Sequence, residues 1–208
     1  MTKHGLIRLL MISACICTLA ALTALTTASG KAPASPADNS SEKISIKPVL
    51  NLMAAGAVQP GAGSQLTRDK DAIFGIINTK GLTPGWVYSA WFGIFNNPEN
   101  CATRPCSGAD FANPAVMGSR LNFGGRLIGP DGAATYGGYL AVGDTTSAFD
   151  GPGLLDPKHA EIHMVVRSHG IALMGTSTTG PFSEQLSLFN GGCPPNTCVN
   201  VQASVHAP

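Results

Sequence analysis

A chain of 208 residues with 13 basic and 12 acidic side chains carries a formal charge of +1, and only 12% of its residues are charged. That near-neutrality excludes the basic footprint by which proteins engage nucleic acid or anionic lipid. With 25 glycines, 15 prolines and 44% hydrophobic residues, the composition suits a turn-rich exported β protein with one core rather than two.

The N-terminus has the parts of a secretory signal. Lys3 and Arg8 precede an uncharged apolar run over residues 9–22, and Ala28-Ser29-Gly30 offers small side chains to a signal peptidase. Cleavage near Gly30 makes residues 1–30 a signal peptide and leaves eleven basic against 12 acidic residues. The expected product is secreted or periplasmic, with no stable membrane span. An uncleaved anchor is the first alternative, although the run is short for a bilayer. A lipoprotein is the second, through the loose lipobox Ile12-Ser13-Ala14-Cys15, although the apolar run continues past Cys15.

Residues 31–44 lack the apolar surface needed to offset ordering and read as a flexible linker. Residues 45–208 then form a single β domain. Residues 44–51 suit a first short strand or an edge strand, and 53–64, rich in Ala and Gly, has no usable period. The apolar run 72–79 ends at Lys80-Gly81, and 86–95 reads as a long central strand. Further strands are expected over 119–128, 133–142, 160–168, 171–176, 185–189 and 199–205. Pro130-Asp131-Gly132 signals a hairpin between the first two of these. No apolar period of 3.6 residues lasts three turns, so the expected fold is all-β: an antiparallel β-sandwich, immunoglobulin-like or a similar Greek key, of about seven to nine strands.

Cys101, Cys106, Cys193 and Cys198 survive cleavage, and an even count in an exported chain points to disulfides. Of the three pairings, the local bridges 101–106 and 193–198 are favoured, since a short Pro-containing loop closes in a turn. Both pairs follow the end of an apolar strand, which suggests loops at the same end of the fold. Crossed bridges or a four-thiolate metal site would then come within reach.

The segment around Glu161 holds the most suggestive chemistry. In a strand, His159, Glu161, His163, Arg167 and His169 share one face while Ile162, Met164 and Val166 enter the core. Imidazoles and a carboxylate on one face could bind Zn²⁺ or Cu²⁺, or form an acid/base pair. The plainer reading is a solvated sheet face on which Glu161 and Arg167 pair across strands. The connection 143–158 places Asp144, Asp150 and Asp156 where they could offer oxygens to Ca²⁺, but Asp before Gly or Pro is ordinary turn chemistry. Trp86, Tyr88 and Phe92 share one strand face and Trp91 and Phe95 the other. One set is core; the other is covered by a second sheet or is an exposed partner surface. There is no Gly-x-Ser-x-Gly elbow, phosphate-binding loop or dinucleotide fingerprint.

The phrases Trp91-Phe92-Gly93-Ile94-Phe95-Asn96-Asn97-Pro98-Glu99-Asn100-Cys101, Gly143-Asp144-Thr145, Gly153-Leu154-Leu155-Asp156-Pro157 and Ala160-Glu161-Ile162-His163 resemble a group of exported bacterial proteins to which no activity is assigned. The resemblance spans about residues 66–206 and implies export from a bacterial cell without implying a mechanism. At the level of fold, the histidine-bearing strand is similar to the chordin-type repeat domain. Taken together, the sequence leads to an exported non-enzymatic protein that binds an extracytoplasmic partner or surface. The alternative is a Zn or Cu protein using His159, Glu161, His163 and His169.

Overall fold

A computed structural model describes residues 42–175 and 181–208. The expected signal peptide and all but the last residues of the expected linker lie outside the described residues. The first strand, β1, spans Lys43–Asn51, so it starts just before the expected end of that linker. It is followed by β2 (Ala57–Arg68), β3 (Ala72–Thr79), β4 (Trp86–Phe95), β5 (Gly118–Leu127), β6 (Ala134–Ala141), β7 (Ala148–Asp150), β8 (Glu161–Ile171), a short helix α1 (Pro181–Ser187) and β9 (Val199–His206). Among the described residues no helix is long and apolar enough to cross a membrane.

The fold is antiparallel β, as expected, but its strands form one sheet. Nine strands hydrogen-bond in the order β6-β3-β2-β1-β9-β8-β4-β5-β7, which replaces the two separate sheets of a sandwich. The sheet curls until its two wings face each other. Gly75 on β3 shows how closely they approach: a Cβ there would lie 2.7 Å from both Met164 Sδ on β8 and Phe92 Cε1 on β4. Phe92 in turn stacks on Phe123 of β5 at 4.1 Å between centroids. The curled interior is filled by Leu66, Ile73, Ile77, Tyr88, Ile94, Tyr136, Ile162 and Met164 among others.

Side chains alternate between the two faces along each strand. In β3, Ile73 and Ile77 point inward while Phe74 points out, and in β8 Ile162, Met164 and Val166 are fully buried in the core. Four elements depart from expectation. β1 is internal to the sheet, between β2 and β9. The Ala- and Gly-rich stretch becomes the 12-residue β2, paired on both sides, because backbone ladders do not require large side chains. The strands expected over 160–168 and 171–176 are one strand ending at Ile171, and residues 185–189 belong partly to α1. The turn at Pro130-Asp131-Gly132 exists, with Gly132 at a φ of 61° and its N–H bonded to Gly129 O. It does not close a hairpin: β5 pairs with β4 and β7, and β6 with β3. The turn instead carries the chain across the open seam of the curl, where β5 and β6 touch through side chains.

Arg68 pins this arrangement at one end. Its fully buried guanidinium donates to the carbonyls of Pro157, Ala160, His206 and Ala207 at 2.6–3.2 Å. Burial pulls its pKa down to about 10, against the pull of Glu161, so it stays charged at neutral pH. His206, also fully buried, bonds Ser45 Oγ through Nδ1 (2.7 Å) and Ser64 Oγ through Nε2 (3.0 Å). Burial, with the positive charge of Arg68 and Lys47 and the nearby His163, lowers its pKa to about 4.

Candidate functional site

The outer face of β8 carries Glu161, His163, Val165, Arg167 and His169. Register sets them beside Phe95, Gly93, Trp91 and Ser89 of β4, with Gly93 opposite His163 and Trp91 opposite Val165. Two disulfide-closed segments roof this face. The Cys101–Cys106 bridge has a Cα separation of 5.4 Å and Cys193–Cys198 one of 5.9 Å, the local pairing that the spacing favoured. The loops sit at opposite ends of β8, not at the same end: Cys106 meets Glu161, whereas Cys198 meets His169. A strand advances ~3.3 Å per residue, so crossed bridges and a four-thiolate site are out of reach.

At the first end, Glu161 Oε1 accepts hydrogen bonds from Cys106 N–H and from His163 Nε2, both at 2.7 Å. Burial pushes the Glu161 carboxyl up, but these bonds and the charges of His163 and Arg104 outweigh it and hold the group below the usual carboxylate range. At the other end, Trp91 Nε1–H donates to Ser89 Oγ (2.6 Å), and Ser89 Oγ lies 2.6 Å from His169 Nε2. His169 Nδ1 lies 2.9 Å from Gly191 O. A carbonyl only accepts, so Nδ1 carries the proton and the Ser89 hydroxyl donates to Nε2. Ser89 and His169 are both fully buried, and burial, with Arg167 nearby, keeps His169 below the usual imidazole range despite the Gly191 bond. This chain of bonds ties the second loop to the sheet; as a nucleophile and base it would be sealed from any substrate.

Between the two ends the roof leaves a cleft of about 290 Å³, lined by Trp91, Phe111, Arg120, Val165, Arg167 and Phe189. It continues over Gly93 and Phe111 into a more apolar cavity of about 260 Å³ that reaches Phe95, Leu52 and His163. On the far side of Trp91 and Phe189 lies a third cavity of about 390 Å³, bounded by Phe149 and Leu188.

The two arginines in the cleft differ. Arg120 is paired with Asp150, its Nε 3.1 and 3.0 Å from the two carboxylate oxygens, and its guanidinium sits 4.8–4.9 Å from the rings of Phe111, Phe149 and Phe189. Arg167 shares the Phe189 ring, its guanidinium carbon 4.1 Å from the centroid, and its partners are all neutral: Phe189 O (2.7 Å), Asn200 Oδ1 (2.9 Å) and Asn190 Oδ1 (3.2 Å). Among the described residues it has no carboxylate within ion-pair distance. Burial and the charge of Arg120 lower its pKa.

The four residues singled out as metal ligands are distributed over three separate contacts. His159 stands on an exposed turn with Nε2 3.0 Å from Glu99 Oε2, Glu161 and His163 bond each other, and His169 lies at the far end of the strand. The structure instead brings His169 together with Cys193 and Cys198, their ligand atoms within 4.8 Å of one another, with the two sulfurs joined as a disulfide. The aspartates of the 143–158 connection serve locally. Asp144 and Asp156 accept from the backbone N–H groups of Thr146 and Lys158, and Asp150 holds Arg120. Trp91 and Phe95 are buried beneath the roof rather than beneath a second sheet. Arg120, Phe111 and Phe189 were not singled out by the sequence. Their one signal is that arginines inside apolar strands are conspicuous in a chain so poor in charge. Comparison of the chain with family models, with curated proteins and with solved structures returns no match.

Proposed function

We propose that this is an exported, non-enzymatic binding protein that takes its ligand into the cleft on the outer face of β4 and β8. Export rests on the character of residues 1–30 and is supported by the two disulfides. The observation that carries the binding reading is the cleft itself. It is concave, mostly aromatic and aliphatic, and has a few fixed polar groups, the composition typical of ligand sites. Its roof is held by disulfides and by the Trp91–Ser89–His169–Gly191 bonds, so the walls are set before a ligand arrives. The groups that could do chemistry are engaged with one another.

A fragment screen by nuclear magnetic resonance tests this reading. Trp91 lines the cleft and Trp86, which is 39% exposed, does not. Binding fragments are expected to shift the Trp91 indole N–H resonance and to leave that of Trp86 unchanged. Hits that move only Trp86, or no hits at all, would refute the assignment.

The second reading, a Zn or Cu protein, is supported by the His169, Cys193 and Cys198 cluster rather than by a convergence of His159, Glu161 and His163. Thiolates bind these ions and a disulfide does not, so the site would form only on reduction. Stoichiometric Zn²⁺ uptake by reduced protein, abolished by His169→Ala, is the outcome this reading needs; uptake indifferent to reduction would remove it.

A further inference from the structure

We infer that the cleft ligand is a small carboxylate with a flat or branched apolar body, its anionic group against Arg167 and its body lying over Gly93 and Val165 toward Phe95. The inference rests on the cleft being the functional site and names what that site selects.

Charge is the first reason. The cleft is lined by two guanidiniums, of which Arg120 engages the Asp150 carboxylate through Nε and a terminal nitrogen. Arg167 is buried and, among the described residues, has no acidic partner, while a second cation, Arg120, shares the Phe189 ring with it. A buried charge of this kind is normally matched by an opposite one, and here the open space beside it is the cleft. Donor geometry is the second reason. Nε and one hydrogen on each terminal nitrogen of Arg167 are used by Phe189 O, Asn200 and Asn190. One N–H on each terminal nitrogen remains, and two donors are the number that the two oxygens of a carboxylate engage. A phosphate would present further oxygens and a higher charge, and the other guanidinium of the lining, Arg120, is already paired with Asp150.

The walls define the rest. Away from Arg167 the cleft is bounded by Phe111, Val165 and Trp91, and the adjoining cavity by Leu52, Phe95 and Val205. Gly93 forms the floor between the two. A Cβ there would sit 3.3 Å from Phe111 Cζ, so its absence keeps the passage open. Cavities of about 290 and 260 Å³ in sequence accommodate one or two rings, or a short branched chain, beyond the carboxylate.

Titration calorimetry with 2-naphthoate and its neutral isostere 2-naphthamide tests the inference on the full protein. Naphthoate is expected to bind saturably and at least about ten-fold more tightly than naphthamide, with the preference shrinking as NaCl is raised. Arg167→Gln should weaken naphthoate by about ten-fold or more while changing naphthamide by no more than about two-fold, and Arg167→Lys should fall between. Equal affinity of acid and amide for the unmodified protein overturns the carboxylate assignment without needing a variant that folds. In that case a Trp91 indole shift with either compound leaves the cleft as the binding site, so the two readings fail separately. Absence of binding by both at millimolar concentration overturns the inference as well.

Discussion

Across β1, β2, β3 and β6 no described residue covers the outer face of the sheet: Ile44, Phe74 and Tyr139 lie in one cross-strand row through Thr67 and are 55%, 43% and 67% exposed. Across β5, β4, β8 and β9 the outer face is roofed, and Trp91 is only 2% exposed. The inner face of both wings is packed in the same way. The difference therefore lies in the connections. β1, β2 and β3 follow one another through a few residues each, too few to fold back over the sheet. The chain between β4 and β5 and that between β8 and β9 are long, and each contains a disulfide-closed turn. A curled sheet needs only its inside to be filled in order to fold; the second layer on one wing is an addition, and the cleft lies within it.

The roofed wing is most vulnerable at Trp91. Trp91→Ala removes a ring packed edge-on against Phe189 at 5.1 Å and the N–H that orients Ser89. It is expected to cost about 3–5 kcal/mol by urea unfolding; a loss under about 1 kcal/mol would mean that the roof is not packed.

Acid sharpens the contrast between sealed and exposed groups. His206 and His169 have folded pKa values lowered below that of the unfolded chain, so the native state binds fewer protons. Their contribution is complete above the unfolded value of about 6.5 and is lost as pH falls through the folded one, about 4 for His206. Glu161, also depressed, adds a loss at still lower pH. Stability should decline by about 3 kcal/mol from His206 alone between about pH 6.5 and 4. A flat unfolding midpoint over that window would contradict the sealed network, whereas a shallower slope for His206→Gln would locate it.

Opening the Cys193–Cys198 bridge with Cys193→Ser and Cys198→Ser should cost about 2 kcal/mol and raise amide exchange in α1 and Phe189 more than in β1–β3. Uniform exchange would show that the loop is not what holds the roof. The smallest effect is expected on the bare wing. Phe74→Lys and Tyr139→Lys should each change stability by no more than about 0.5 kcal/mol, and a loss above about 2 kcal/mol would reveal that this face is covered in solution.

Legibility followed the range of the physical signal. β3, β4 and β9 could be read because each gathers β-branched or aromatic residues in a run bounded by turn residues. β2 was hidden because small residues form a ladder without an apolar pattern, and α1 because seven residues are too few to show a helical period. The local disulfides could be anticipated from a five-residue separation, since closure of a short loop depends on its own residues. For the histidine strand, the shared face was legible and the partners were not. His159 turns to Glu99, Glu161 to Cys106 and His169 to Gly191, all contributed by other segments.

The β character of the chain, the inward set Ile162, Met164 and Val166 of β8 and the pairing of neighbouring cysteines were set by the sequence alone, because each depends on residues close together in the chain. Only the tertiary structure decided that the strands join into one curled sheet, that the turn at Gly132 spans a seam instead of closing a hairpin, and that Arg120, Arg167, Phe111 and Phe189 meet around one cleft. Strand order is set by which faces can be buried together across the whole chain, and no local pattern encodes it.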